Sequence, residues 1–179
     1  MGTACDPAPA KLFLAIMAST PAQSDQALTA FCERWGMTDL HFGPIPFNFT
    51  DYYTKEMGPT LQKVFYAFTQ PIKRDSLSAI KCVTNDIEEG FRTTDGARTV
   101  NLDPGYLTNE KLVLASTKDF YHRIYLGAGI YAEVTLHYRQ GKWRHFSWTY
   151  PDYKTEGVQR FLEKARAKLV GELRLRNKD

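Results

Sequence analysis

The feature that most constrains this fold is the apolar run KLFLAIMAS, from Lys11 to Ser19. A strand with one face in water alternates apolar and polar residues, because successive side chains point to opposite faces. This run is apolar on both faces, so it predicts a central strand that is covered on both sides. Thr20 and Pro21 follow it and mark its end.

Capping residues and prolines predict the next two elements. A helix is expected after Ser24, a good N-cap, and it should end at Gly36, where a C-cap glycine belongs. Asp39 to Thr50 is expected to form an edge or interrupted strand. The reason is that Pro44 and Pro46 have no N–H to donate to a neighbouring strand.

The following segment predicts a strand, a helix and a short strand. Leu61 to Gln70 is strand-like and is followed by Pro71, and a second helix is expected to begin near Asp75 or Ser76. A short strand is expected over Arg98 to Leu102, ending in a turn at Asp103-Pro104-Gly105. The order β-α-β-β-α-β is that of the split βαβ, so the sequence predicts an α+β protein with a ferredoxin-like core.

The second half of the chain predicts a C-terminal antiparallel β-meander and a terminal helix. Leu107 to Ser116 fits either a helix or a strand. The strands expected after it are Phe120–Leu126, Ile130–Arg139 and Lys142–Trp148, and the last helix is capped by Thr155 with Val158, Phe161, Leu162, Ala165 and Leu169 on one face. At 179 residues, we expect a disordered lead over 1–10 and one domain over 11–179.

Alternation predicts the register of the hairpin around Gly127-Ala128-Gly129. If that loop has three residues, Leu126 faces Ile130, and the apolar sets of both strands point the same way. The opposite face then carries three cross-strand pairs, which are Arg123–Glu133, Tyr125–Tyr131 and Tyr121–Thr135. That face fits either a solvated ion pair on the sheet or the wall of an anion or nucleotide pocket.

The same register places His122 on the apolar face, together with Phe120, Ile124 and Leu126. A histidine there is usually a core residue with a satisfied hydrogen bond. It becomes a candidate general acid or base if Asp119 or Asp103 orients its ring.

Two segments carry most of the residues suited to a site. Thr99 to Tyr138 places many ionisable groups and tyrosines between strand-like runs. Pro46 to Gly58 follows the end of a predicted strand and contains many polar residues. The candidates for proton chemistry are Asp103, Asp119 and His122. The candidates for ligand binding are Asn48, Thr50, Asp51, Tyr52, Tyr53, Asn101, Lys111, Lys118, Arg123, Tyr131 and Glu133.

Several classes of site and segment are not expected. Cys5, Cys32 and Cys82 are odd in number and widely spaced, which argues against a disulfide framework or a zinc site. The sequence has no phosphate loop of the GxxxxGKS/T or GxGxxG type and no hydrolase GxSxG. No metal site is predicted and the cofactor stays open. No basic leader or membrane-spanning run is present, so we expect a cytoplasmic protein.

Three segments resemble a known family. FNFTDYYTKEMG, NLDPGYLTNEKLVLASTKDFYHRIYLGAGIYAEVTL and WTYPDY are similar to the bacterial family called domain of unknown function 4416, over about Lys11 to Tyr153. The resemblance implies no particular reaction. Some members carry a GTP-binding label, which suggests a nucleotide ligand, although the loops typical of GTP-binding proteins are missing here.

Two functional hypotheses follow from the sequence. The first is binding of a nucleotide or phosphorylated small molecule in a polar, tyrosine-rich cleft, with or without catalysis. The second is a protein- or RNA-interaction module that uses the tyrosine-rich sheet face and the basic C-terminal helix. The oligomeric state is open.

Overall fold

The computed structural model describes residues 2–50 and 53–176. One eight-stranded antiparallel sheet forms its centre, in the order β2-β3-β1-β4-β5-β7-β6, with β8 paired to β7. The strands are β1 (Ala10–Ala18), β2 (Thr38–Pro46), β3 (Gln62–Ile72), β4 (Val100–Leu107), β5 (Lys111–Ser116), β6 (Ile124–Gly127), β7 (Ile130–Arg139) and β8 (Lys142–His145). The helices are α1 (Pro21–Trp35), α2 (Thr54–Met57), α3 (Leu77–Glu89) and α4 (Glu156–Arg176).

The apolar run at the start of the chain is the central strand β1, and its residues are buried throughout. One face of β1 carries Leu12, Leu14 and Ile16, which pack in a core with residues of α1 and α3. The other face carries Phe13 and Ala15, which pack in a core with α4. Helices therefore cover both faces of the central strand, as the sequence predicts, and the protein is of the α+β class.

The second half of the sheet does not follow chain order. Strand β5 pairs with β7, while β6 lies outside β7 as its hairpin partner. The prediction of a simple meander, in which successive strands are neighbours, is therefore wrong at β5 and β6. The ambiguous run before this hairpin is the strand β5 and not a helix.

The helix ends follow local chemistry. Helix α1 begins at Pro21, with the Thr20 hydroxyl accepting from the Gln23 amide at 3.3 Å. The prediction of Ser24 as N-cap is wrong because Pro21 suits the first helical position and moves the start one turn earlier. The C-cap at Gly36 is confirmed. The predicted apolar face of α4 is also confirmed, since its five residues are all buried.

The predicted turn at Asp103-Pro104-Gly105 is wrong, because β4 runs straight through these residues. Gly105 is required by packing and not by a turn. A Cβ at this position would collide with the Val113 carbonyl oxygen and the Leu114 side chain of β5.

The predicted hairpin register is correct in part. Tyr125 lies opposite Tyr131, as predicted, but Gly127 rather than Leu126 lies opposite Ile130. The loop has two residues, Ala128 and Gly129, both with positive φ, and a bulge in β6 absorbs the difference.

The core assignment for the first strand of that hairpin is wrong. Residues 120–123 precede the strand, and the side chains predicted to enter the core, Phe120, Ile124 and Leu126, are exposed. Strand β6 is the last strand of the sheet, and the core clusters formed by the helices contain none of its residues.

Within the described residues, no helix is both long and apolar enough to span a membrane.

Candidate functional site

The candidate site lies where two central strands separate. Strand β4 pairs with β1 along its whole length, but it pairs with β5 only over Gly105–Leu107. The first half of β4 therefore has an open edge in the middle of the sheet. We call this opening between β4 and β5 the fork.

Side chains of α3 satisfy the backbone at the fork. The Leu102 amide donates to Glu88 Oε1 at 2.8 Å, and Lys81 Nζ donates to the Leu102 carbonyl at 2.7 Å. Backbone groups of every second residue point to the same strand edge, so those of Pro104 also face the fork. Proline has no N–H, so this position leaves no donor unpaired.

A cavity of about 540 Å³ opens at the fork. This volume is within the range of small-molecule sites. The segment between β2 and β3, the turn before α4 and the end of β5 all border it. Its lining includes Phe47, Phe49, Thr50, Tyr53, Lys63, Lys81, Glu88, Arg98, Asn101, Asp103, Ser116, Thr117, Lys118, Glu133, Tyr150 and Asp152.

Cross-strand register assembles the floor of this cavity. Met17 lies opposite both Lys63 on β3 and Asn101 on β4, so these three residues form one row across the sheet. In the next row on the same face, Ala15 lies opposite Asp103. Residues paired in this way share a face of an antiparallel sheet, which brings an ammonium group, an amide and a carboxylate together.

Lys63 is the central cation of the floor. Its Nζ donates to Asp152 Oδ2 at 2.7 Å and lies 3.8 Å from Asp103 Oδ2. The Lys63 and Asp152 side chains are 6% and 1% exposed, whereas that of Asp103 is 31% exposed. Asp152 therefore pairs with Lys63 in the protein interior, whereas Asp103 lies at the surface of the cavity.

Aromatic rings surround the same ammonium group. Its nitrogen lies 5.4 Å from the ring centre of Phe47, 5.5 Å from that of Phe65 and 5.0 Å from that of Tyr153. Phe47 also makes edge-to-face contacts with Phe49 and Tyr53, at centroid distances of 5.7 and 6.0 Å. One wall of the cavity is therefore aromatic, while its floor is charged.

The α3 side of the cavity contains a second ionic network. Glu88 lies 3.5 Å from Lys81 Nζ and 3.9 Å from Arg98 Nη1, and Arg98 makes a two-nitrogen contact with Glu56 at 2.6 and 2.8 Å. Burial raises the pKa of Glu88, whereas the hydrogen bond from Arg98 lowers the pKa of Glu56. The charges of Lys81 and Arg98 and the hydrogen bond from the Leu102 amide oppose the effect of burial on Glu88.

Arg123 fastens the loop at the mouth of the cavity. Its Nε donates to Glu133 at 2.9 Å, and its Nη1 donates to the Lys118 carbonyl at 2.9 Å and to Ser116 Oγ at 3.2 Å. Its Nη2 donates to the Tyr150 hydroxyl at 2.9 Å. The ion pair with Glu133 forms as the sequence predicts, but the guanidinium is committed to protein groups, and the side chain does not line the cavity.

His122 does not occupy the core position that the register predicts. Its Nε2 lies 3.0 Å from Glu133 Oε2, and its ring stacks on Trp148 at a centroid distance of 4.7 Å. The prediction fails because residue 122 precedes β6, so strand alternation does not apply to it. The contact that orients the ring is with Glu133, and neither Asp119 nor Asp103 bonds to it among the described residues.

The predicted site residues divide into three groups. Those that line the cavity are Thr50, Tyr53, Asn101, Asp103, Lys118 and Glu133. Those that lie elsewhere are Asn48, Lys111, Asp119, His122, Arg123 and Tyr131. Asp51 and Tyr52 lie outside the described residues.

Sequence reasoning missed the residues that the tertiary structure adds, namely Phe47, Phe49, Lys63, Lys81, Glu88, Arg98, Tyr150 and Asp152. Lys63 could have been noticed, because it is a charged residue at the start of an apolar central strand, KVFYAF. Lys81 and Glu88 are seven residues apart, two turns of one helix, so they share a face. Nothing local indicates that this face reaches an open strand edge.

Within residues 2–50 and 53–176, no three His, Cys, Asp or Glu side chains come together as a metal centre requires.

The family model described as Domain of unknown function (DUF4416) matches residues 8–169. No curated protein and no solved structure matches the chain.

Proposed function

This chain belongs to the family described as Domain of unknown function (DUF4416), and we propose that it binds a nucleotide or another phosphorylated small molecule in the cavity at the fork. The proposal rests on the cavity, because the description of the family names no activity. We leave catalysis out of the proposal.

The observation that carries the proposal is the state of Lys63. An ammonium group has three N–H donors, and the described residues provide one hydrogen-bond acceptor, Asp152. The Asp103 carboxylate, at 3.8 Å, is an ion-pair partner beyond hydrogen-bond distance. A buried cation with donor capacity left over, in the floor of a cavity, suits an anionic oxygen such as that of a phosphate.

The aromatic wall supports a ligand that also has a planar ring. Phe47, Phe49 and Tyr53 present ring faces and edges on which a nucleobase could stack. Asp103 and Asn101 provide an acceptor and an amide beside the ammonium group. A nucleotide combines a planar ring, polar edges and an anionic group.

The charge of the lining makes the proposal specific. Among the described lining residues, Lys63, Lys81, Arg98 and Lys118 balance Glu88, Asp103, Glu133 and Asp152. The net charge of the cavity therefore contributes little to the binding of a phosphate. To bind, the phosphate must replace a carboxylate that already pairs with one of the cations. We infer that it takes the place of Asp103 beside Lys63, since that contact is the longer of the two ion pairs that Lys63 makes and its carboxylate is the more exposed.

The proposal extends to the fold and the compartment. The pairing order β4-β1-β3-β2, with α1 and α3 as crossovers, supports a ferredoxin-like core carrying an added sheet of β5 to β8. We also propose a cytoplasmic location, because the odd number and wide spacing of Cys5, Cys32 and Cys82 argue against the disulfides common in secreted proteins.

The test is a thermal-shift and calorimetric screen with ATP, GTP, adenosine, guanosine, glucose 6-phosphate and inorganic phosphate as probes. A probe present at one hundred times its Kd stabilises the fold by about 2.7 kcal/mol, which raises the melting temperature visibly. We expect the nucleotides to bind more tightly than the nucleosides or phosphate alone. If none of the six probes binds, the proposal is contradicted.

Two variants and a control tie any binding to this cavity. Asp103→Asn keeps the shape of the side chain but removes the charge that competes for Lys63, so it should raise the affinity for the anionic probes at least tenfold. Lys63→Met should abolish binding of these probes, while Lys142→Met, on the exposed start of β8, should leave it unchanged. Binding that neither cavity variant changes places the ligand elsewhere and contradicts the proposal.

The second hypothesis, an interaction module, has one observation in its favour. Large apolar side chains are exposed around β6. The basic helix supports it less, because Arg166 bonds Asn109 and stacks on Tyr138, and Lys168 lies 3.2 Å from Asp39.

A further inference from the structure

The two edges of the sheet differ in their protection. At one edge, β2 contains Pro44 and Pro46 and has two irregularities in its pairing with β3. Helix α4 also packs across it, with Gly157 directly against the Phe42 ring. Prolines, bulges and a covering helix are the usual means of preventing a strand edge from pairing with another chain.

At the other edge, β6 belongs to none of the cores that the helices cover among the described residues, and its pairing with β7 has a single irregularity, between Tyr125 and Gly127. Its sequence, Ile124–Gly127, contains no charge and no proline. In the part of the chain that the structure describes, β7 pairs with one side of β6 and no strand pairs with the other. An unpaired strand edge exposes N–H and C=O groups that can extend a sheet.

Exposed apolar side chains surround this unprotected edge. We call them the β6 patch: Phe120, Tyr121, Ile124, Tyr125 and Leu126. Between 42% and 76% of the surface of each is exposed. Since a large aromatic residue offers about 150–250 Å², the patch exposes on the order of 500 Å². That is typical of an interaction site and approaches the roughly 800 Å² per partner of a stable complex.

The shape of the patch fits a second copy of the same chain. Bulky aromatic rings at Phe120 and Tyr121 lie at one end, and the small residues Gly127, Ala128 and Gly129 lie at the other. Nothing lies within 4 Å of a Cβ built at Gly127 or Gly129, so there is open space at that end. Antiparallel pairing about a two-fold axis brings the bulky end of each copy against the small end of its partner.

We propose that the β6 edges of two copies pair antiparallel across a two-fold axis, so that this chain forms a homodimer with a continuous sheet. An axis at Tyr125 sets each Tyr121 opposite Gly129 of the other copy. All five residues of the β6 patch, with Tyr125 on the axis, then lie in the interface. This proposal is independent of the ligand.

The dimer also bears on the cavity. The loop that carries Phe120 and Tyr121 into the interface also carries Thr117 and Lys118 at the cavity mouth. Arg123 fastens this loop to Ser116, Glu133 and Tyr150. Each dimer therefore holds two cavity mouths next to its interface.

The test is the mass of the full chain in solution, by light scattering after size exclusion and by sedimentation equilibrium over a range of concentrations. We expect twice the chain mass of 20.5 kDa. Ile124→Lys should give the monomer mass with an unchanged circular dichroism spectrum. Met37→Lys, equally exposed but remote from β6, should remain a dimer.

Cross-linking tests the register. In a Cys5→Ser background, Tyr125→Cys should form a disulfide-linked dimer on mild oxidation, whereas Met37→Cys should not. A wild-type monomer at every concentration overturns the proposal. A dimer that persists in a folded Ile124→Lys variant also overturns it, because its interface then lies elsewhere. If Ile124→Lys fails to fold, the Tyr125→Cys cross-link decides.

Discussion

The two sides of β4 show two ways of satisfying a strand backbone in the interior of one sheet. Toward β1, every residue from Val100 to Leu107 has a strand partner, and the residues of β1 are buried throughout. Toward β5, pairing stops after three residues, and charged side chains from α3 replace the missing strand. The first arrangement leaves no room for a ligand, whereas the second forms a cavity with fixed charges.

This difference shows where charged side chains can be buried in this sheet. Buried Lys63, Lys81, Glu88 and Asp152 are each held by an opposite charge. A buried charge without a partner is strongly destabilising, so these pairs must form together or not at all. The cavity is therefore built into the fold, and the predictions below compare the packed core with the fork.

The largest effect is expected in the core between the sheet and α4. Phe65 is fully buried, and its ring contacts Phe13 and Tyr153 at centroid distances of 6.3 and 5.5 Å. Phe65→Ala should lower the free energy of unfolding by about 3–5 kcal/mol, through lost burial and the cavity left behind. Urea unfolding measures this, with Met37→Ala, 73% exposed, as a control that changes stability by less than about 0.5 kcal/mol.

A comparable but smaller effect is expected at the fork. Lys81→Met leaves the Leu102 carbonyl and the Glu88 carboxylate without their cation and should cost about 3 kcal/mol. Adding Glu88→Gln removes the stranded charge while keeping an acceptor for the Leu102 amide. The double variant should therefore be more stable than the sum of the two single losses. Strictly additive losses by urea unfolding mean that the two side chains do not act as a pair.

The smallest effect is a pH dependence at the outer end of the fork network. Since Arg98 lowers the pKa of Glu56 in the folded protein, their contact stabilises the fold above the unfolded value near 4.5. That contribution is lost as the pH falls through the lower, folded-state pKa. Glu56→Gln should therefore flatten the acid side of the stability profile.

The profile is measured by urea unfolding at a series of pH values below neutrality. Glu163→Gln, on the exposed side of α4, serves as the matched control and should follow the wild-type profile. A Glu56→Gln profile as steep as that of the wild type indicates that the contact with Arg98 does not contribute to stability in solution.

Much of the fold could be predicted, because periodicity and caps are local. The apolar run of β1, the cap at Gly36 and the apolar face of α4 depend on neighbours within a few residues. The failures occurred where a distant strand overrides local preference. Asp103-Pro104-Gly105 is a strong turn sequence, but here it lies within a strand. Pro104 has no N–H, which suits the open strand edge, and Gly105 has no Cβ, which suits the close approach of β5.

The candidate site was only half predictable for the same reason. Asn101, Asp103 and Glu133 lie in the polar segment from Thr99 to Tyr138, which the sequence indicates as a site, and they line the cavity. Lys63 and Asp152 are 89 residues apart, and their pairing follows from how α4 is set against β3. No pattern within a window of the sequence contains that information.

The class of fold, the central strand and the closeness of Arg123 to Glu133 follow from the sequence alone, because side-chain periodicity and short connections act over short distances. The separation of β4 from β5, and the side chains of α3 that close the gap, depend on the tertiary structure. The tertiary structure also leaves β6 at an unprotected edge. The free energy of burying a charge depends on what lies across the sheet, and that is fixed only when the distant strands have come together.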